Sequence, residues 1–188
     1  MKKFIILIPI YNDWKSVFQL LENIDLQIAK WDAEVLVLII NDGSTEERTV
    51  TELSFKNIKT VRVMNMKQNQ GHARCNAAGL KYLTEKEDFD YVILMDGDGE
   101  DRPEELTSLF NKSKENPLKT VTANRIKRSE GSFFKLLYEC HKILTYVFTG
   151  KLIKFGNYSC LPKEDAARLV KEACIWSSFS GSVTKIIS

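Results

Sequence analysis

Three runs of β-favouring apolar residues govern what this chain can fold into: Lys3 to Ile10, Glu34 to Ile40 and Asp90 to Met95. Each is nearly continuous rather than alternating, the pattern of a strand buried on both faces. Such strands need helices above and below them, and the intervening segments supply these. From Trp14 to Ala29, the residues Val17, Leu20, Leu21, Ile24 and Ile28 keep helical spacing, with Asp13 as the predicted cap. A strand, a helical crossover and a second strand imply parallel pairing. The expected class is therefore α/β, with a mostly parallel central sheet flanked by helices.

The pattern then repeats. A short helix is expected from about Glu46 to Leu53, a strand from Thr60 to Met64, and a loop from Lys67 to Gly71. The helix predicted from His72 to about Lys86 carries small residues at Ala73, Ala77, Ala78 and Gly79, which allow close packing on the sheet. Pro103 suits the first turn of a further helix reaching about Lys114, with Glu104 and Glu105 near its positive end. A fifth strand, Thr120 to Ala123, ends at Asn124-Arg125.

Ligands of open parallel sheets collect beyond the carboxyl ends of the strands. Three of those ends carry acid here: Asp13, Asp42 and the pair Asp96 and Asp98. The stretch Asp96-Gly97-Asp98-Gly99 reads in two ways. Asp and Gly are common turn formers; paired carboxylates at a strand end also suit Mg²⁺ or Mn²⁺, which share their shell with water and substrate phosphates. Convergence of three acidic ends on one edge favours a metal-nucleotide site. No Gly-x-Gly-x-x-Gly follows the first strand and no Gly-Lys-Ser/Thr loop is present, which disfavours dinucleotide-binding and P-loop chemistry.

Length and charge narrow the class further. The 188 residues suit one domain, and a net charge of +2 does not make a nucleic-acid binder. Charge is uneven, with eight Lys or Arg against two acids between Arg125 and Lys163; that bias fits anionic lipid, a phosphate-bearing substrate or a solvated face. Cys75, Cys140, Cys160 and Cys174 form no metal-like grouping with His72 and His141, so they read as reduced thiols of a cytoplasmic protein. The run Phe4 to Ile10 is too short for a signal peptide and lacks a small-residue cleavage site. No uncharged apolar segment approaches the roughly 18 residues that span a bilayer, so the chain reads as soluble or peripheral. Phe133 to Phe148, aromatic with Lys135, His141 and Lys142 interspersed, suits either a membrane interface or a cover for the sheet. Gly156 to Leu161 reads as a turn and short strand, and Pro162 opens a helix to about Cys174. The tail from Ser177 has no clear stop and reads as the truncated end of a catalytic portion.

Taken in order, Ile8-Pro9-Ile10-Tyr11-Asn12-Asp13, Asn41-Asp42-Gly43-Ser44, Asn69-Gln70-Gly71 with Ala73 and Gly79, Asp96 to Glu104, and Asn124-Arg125 resemble the family-2 glycosyltransferases of the GT-A fold. The branch is that of dolichyl-phosphate mannose synthase and bacterial polyprenyl-phosphate glycosyltransferases. The match runs in order over about residues 4 to 125 and loosely to 170. It implies one Rossmann-like GT-A catalytic domain over 1–188, with 126–188 as its acceptor-side or membrane-facing portion. By the resemblance Pro9, Tyr11 and Asp13 contact the donor, Gly71 belongs to the donor pocket, and Asp42 recognises the uracil or guanine edge. Asp96 lies near the ribose or a metal-bound water, and Asp98 binds the Mg²⁺ or Mn²⁺ that bridges the diphosphate. Arg125, with Arg128 behind it, adds positive charge at the diphosphate or at an acceptor phosphate, so Asp96, Asp98 and Arg125 are the expected catalytic residues.

The departures are Asp13, where the family usually has Glu, and Glu100, where it often has Gln. A sugar hydroxyl acceptor needs a carboxylate base, and none occurs between Lys142 and Lys163. A phosphate acceptor is already ionised. The resemblance therefore implies inverting transfer from a UDP- or GDP-sugar to polyprenyl phosphate at the cytoplasmic membrane face. Transfer to a saccharide or protein hydroxyl and a catalytically silent nucleotide-binding module are the alternatives.

Overall fold

The computed structural model describes residues 1–46, 54–124 and 155–187. At its centre is strand β1 (Lys2–Ile10), in which Phe4, Ile5, Ile6, Leu7 and Ile8 are wholly buried. It pairs in parallel with β2 (Ala33–Asn41) on one side and β4 (Tyr91–Leu94) on the other, and β2 pairs in parallel with the edge strand β3 (Ile58–Asn65). Beyond β4 the sheet changes direction. β6 (Phe155–Pro162) runs antiparallel to β4 and to the outer strand β5 (Val121–Asn124), giving the six-stranded order β3-β2-β1-β4-β6-β5.

Side chains of β1 divide between two cores because successive residues point to opposite faces. Phe4, Ile6 and Ile8 pack with helix α1 (Trp14–Gln27) and helix α3 (Leu106–Glu115). Ile5 and Leu7 pack against α2 (His72–Lys86), α4 (Lys163–Leu169) and α5 (Phe179–Ile186). The small residues of α2 do what their size suggests: a Cβ at Gly79 would sit 2.5 Å from Leu7 Cδ1. The mostly parallel, helix-covered sheet expected of a GT-A domain is thus the observed architecture.

Carboxylates fix several junctions. Asp25 of α1 accepts backbone N–H groups from Lys56, Asn57 and Ile58 at 3.2, 2.8 and 2.8 Å, anchoring the start of β3. Burial alone would raise its pKa; these bonds and that from the Asn57 amide outweigh burial and hold it below the usual carboxylate range. Asp90 accepts from Lys3 N at 2.8 Å and from Lys2 Nζ at 2.6 Å, tying the approach to β4 to β1.

Several local expectations shift. Asp13 occupies the N-cap position of α1 but makes no side-chain cap bond, and the helix ends in a 3₁₀ turn, Ile28–Lys30, after Gln27. Pro103–Glu105 is likewise a 3₁₀ turn preceding α3. The short strand expected near 156–161 is an eight-residue interior strand, and the helix after Pro162 closes at Leu169. The tail, to which the sequence assigns no element, forms α5, capped by Ser178, whose Oγ accepts from Gly181 N at 3.2 Å. The expected helix near 46–53 lies outside the described residues beyond Glu46, as do Arg125, Arg128 and the segment 133–148. Among the described residues no helix is long and apolar enough to cross a membrane.

Candidate active site

Where β1 and β4 end and β6 begins, their loops and the start of α2 enclose a cleft of about 540 Å³. Pro9, Tyr11 and Asp13 line one wall and Asp96, Gly97, Asp98 and Glu100 another. Five residues singled out from the sequence, Pro9, Tyr11, Asp13, Asp96 and Asp98, therefore meet in one place.

The first wall is built on Asn12, which has φ +53°. Left-handed backbone is tolerated by Asn better than by most residues, and the strain is matched by side-chain bonds. Asn12 N donates to Ser44 Oγ at 2.9 Å, and Asn12 Oδ1 accepts from Thr45 N at 2.8 Å and Glu46 N at 3.1 Å. The loop after β1 is thereby tied to the loop after β2. Tyr11, 47% exposed, stands open on the rim.

Asp42 has a different setting. It is 4% exposed and is not among the residues lining the cleft; Oδ1 accepts from Gln70 N at 2.7 Å and Oδ2 from Gly71 N at 2.8 Å. Gly71 has φ +86° and ψ 154°, a conformation essentially confined to glycine, and it begins α2 so that the next residue, His72, faces the cleft. Gly43 is required for another reason besides its φ of +70°: a Cβ there would lie 2.8 Å from the carbonyl carbon of Gln68. Asp42 thus ties the loop after β2 to the start of α2, and neither Asp42 nor Gly71 is among the residues lining the cleft. Cys75 lies against Asp42, and burial first, then that carboxylate, push its thiol up to about 12.

The loop after β4, Asp96-Gly97-Asp98-Gly99, is a turn, as one of its two readings expects, and it also forms the acidic wall of the cleft. Asp98 Oδ1 accepts from Glu100 N at 2.9 Å, closing a turn through Gly99 at φ +81°, and leaves the side chain exposed. Asp101, 5% exposed, accepts from Asp96 N at 2.9 Å. Gly97 packs so tightly on β1 that a Cβ would stand 2.8 Å from Ile10 Cγ2 and 3.0 Å from the Pro9 carbonyl oxygen. Behind the loop, Tyr158 donates to the Arg102 carbonyl at 3.0 Å; burial, and then Asp101, Glu105 and Glu104, raise its pKa well above the usual range, so it keeps its proton.

Asp96 and Asp98 fit a hard divalent cation of the kind that takes most of its shell from water and phosphate. Among the described residues no three His, Cys, Asp or Glu side chains converge as a metal-holding group; a Mg²⁺ held here would take the rest of its shell from water and substrate phosphates.

Four lining residues escaped the sequence reading: His72, Gly156, Asn157 and Ser180. His72 was legible as the residue following the Asn69-Gln70-Gly71 loop. Asn157, whose Nδ2 donates to Asp96 Oδ1 at 3.1 Å, becomes visible only once β6 is known to pair with β4.

Known proteins are similar to this chain in sequence and in fold. Undecaprenyl-phosphate 4-deoxy-4-formamido-L-arabinose transferase of Klebsiella pneumoniae (strain 342) is 29% identical over 162 residues, which are 85% of this chain and 47% of that protein. Dodecaprenyl-phosphate galacturonate synthase of Rhizobium johnstonii is 22% identical over 89% of this chain and 48% of its own length. The chain thus spans about half the length of these curated relatives. Among solved structures, S. aureus TarS 1–349 superposes with a TM-score of 0.54 at 16% identity, covering 97% of this chain and 53% of that one. Its complex with UDP-GlcNAc gives 0.54 at 18% identity, over 89% and 47%. The family profile described as glycosyl transferase family 2 matches residues 5–174, and the chain belongs to that family.

Proposed function

We propose that this chain transfers a sugar from a UDP- or GDP-sugar to polyprenyl phosphate, with inversion at the anomeric carbon and with Mg²⁺ or Mn²⁺. The observation that carries this reading is the meeting of Asp96 and Asp98 with Pro9, Tyr11 and Asp13 around one cleft at the carboxyl end of a parallel sheet. Asp96 and Asp98 would hold the cation, which when bound offsets charge on the departing diphosphate. Tyr11 and Asp13 would hold the nucleoside, and Arg125 would contribute positive charge at a phosphate. The acceptor class is supported by the polyprenyl-phosphate names of the relatives and by the run from Lys142 to Lys163, which offers no carboxylate base. The acceptor phosphate oxygen needs none: it forms the bond to the anomeric carbon as the bond to the diphosphate breaks.

Asp13 and Glu100 line the same cleft, and this favours one second reading, in which either deprotonates a saccharide or protein hydroxyl. A panel of UDP- and GDP-sugars assayed with polyprenyl phosphate and with free saccharides separates the two. The expected product is a glycosylated lipid phosphate plus nucleoside diphosphate. Asp98→Ala should lower turnover by at least about a hundredfold with an unchanged melting temperature; full activity in that variant, or in excess chelator, would overturn the metal role.

A further inference from the structure

The segment that completes the acidic wall comes from the far side of the sequence. The last paired residues of β4 and β6 are Leu94 and Ser159. Continuing that antiparallel register puts Asn157 opposite Asp96, and there the two side chains meet, Asn157 Nδ2 donating to Asp96 Oδ1 at 3.1 Å. The next residue of β6 points to the opposite face. It is Tyr158, 4% exposed, whose hydroxyl donates to the Arg102 carbonyl at 3.0 Å. Two consecutive residues therefore grip the two ends of the loop from opposite sides of the sheet. Between them Asp101 accepts from Asp96 N at 2.9 Å, so the loop is also closed on itself.

We propose that β6 is a positioning strap for the acidic loop, Asn157 fixing the Asp96 carboxylate and Tyr158 fixing the Arg102 carbonyl. An amide suits position 157 on electrostatic grounds. The loop carries Asp96, Asp98, Glu100 and Asp101 within six residues. A neutral donor orients one of these carboxylates without adding a fifth negative charge. Asn157 is thus assigned an indirect role: it sets how Asp96 meets a cation, and this consequence rests on the metal-nucleotide reading above.

The test has two arms on the same chain and its variants Asn157→Ala, Asn157→Asp and Tyr158→Phe, each checked by melting temperature. In the first arm, without ligand, amide hydrogen exchange is followed over residues 96–102. Loss of one bond to a carboxylate predicts exchange about tenfold faster at the Asp96 end in Asn157→Ala, and loss of one neutral bond to a carbonyl predicts exchange about fivefold faster at the Arg102 end in Tyr158→Phe. In the second, calorimetry with Mn²⁺ and UDP or GDP should show the apparent Mn²⁺ affinity reduced about tenfold in Asn157→Ala. Asn157→Asp should move it by a different factor, because a carboxylate replaces a neutral donor. Unaltered exchange in both Asn157→Ala and Tyr158→Phe overturns the strap, and faster exchange with wild-type Mn²⁺ affinity overturns the positioning role of Asn157. A wild-type chain that binds neither Mn²⁺ nor nucleotide refutes the proposed function instead, and the exchange arm then still decides whether β6 holds the loop.

Discussion

Replacing Asp42 by Asn is the sharpest test of how the cleft is held. Both Asp42 oxygens are used, one on Gln70 N at 2.7 Å and one on Gly71 N at 2.8 Å, at a residue only 4% exposed. The amide is nearly isosteric, so packing survives. One of its ends, however, must present an NH₂ group to a backbone N–H. That N–H loses its acceptor in a buried setting, at a cost of about 1–3 kcal/mol, and the bond that survives changes from charge-assisted to neutral, at a cost of about 1 kcal/mol more. A loss of about 3 kcal/mol lowers the melting temperature of a domain of this size by about 6–12 °C. Thermal melts and urea titrations at constant m-value measure it, and amide exchange at Gln70 and Gly71 should quicken in parallel. The competing role, a direct contact with the nucleotide base, predicts the opposite division: wild-type stability and weakened donor binding. A variant within about 0.5 kcal/mol of wild type would therefore refute the scaffold argument, since that is the ordinary range of surface changes.

Two further outcomes follow from residues away from the acidic wall. Asp25 is held below the usual carboxylate range, so the unfolded chain binds more protons than the folded one as pH drops through about 4; its contribution is complete above that value and lost below it. Asp25→Asn should lower neutral-pH stability by about 2 kcal/mol and flatten the acid limb of a stability-against-pH curve, and an unchanged acid limb would exclude Asp25 as a source of that dependence. Gly97→Ala places a Cβ 2.8 Å from Ile10 Cγ2 and 3.0 Å from the Pro9 carbonyl oxygen. It should cost about 1–3 kcal/mol as the two walls are forced apart, read in a melt, together with weaker nucleotide binding by calorimetry; a neutral effect on both would show that the loop gives way freely.

The parts of the fold legible in the sequence were those whose cause is local. Phe4 to Ile10 and Val35 to Ile40 read as buried strands because every side chain in them is apolar, and α2 read correctly from His72 to Lys86 because its small residues fall where the sheet presses. What was hidden depends on pairing across distance. Nothing near Ser159 announces Leu94 as its partner, so the segment around it reads as a turn and short strand until the sheet is closed. The tail helix failed for a related reason: Phe179 and Val183 are spaced for one face, but Ser, Gly and Thr between them dilute the signal, and only contact with the α2 side of the sheet makes them a core.

The acids illustrate the same division within the site. Asp13, Asp42, Asp96, Asp98 and Asp101 are one residue type at similar places, just past the ends of strands, and the sequence treats them alike. The structure separates them by what faces each carboxylate. Where backbone N–H groups of a neighbouring loop point at it, as at Asp42, or a tight turn brings one back, as at Asp101, the charge is spent holding loops together. Asp13, Asp96 and Asp98 border the cleft, although Asp96 and Asp98 each give one oxygen to local order, to Asn157 and to Glu100 N respectively. An acidic strand end does not by itself make a ligand site, because the number of donors already aimed at the carboxylate decides how much of its charge remains for a ligand. By that measure Asp98, exposed and with a single local bond, has the most to offer a cation, and Asp42 the least.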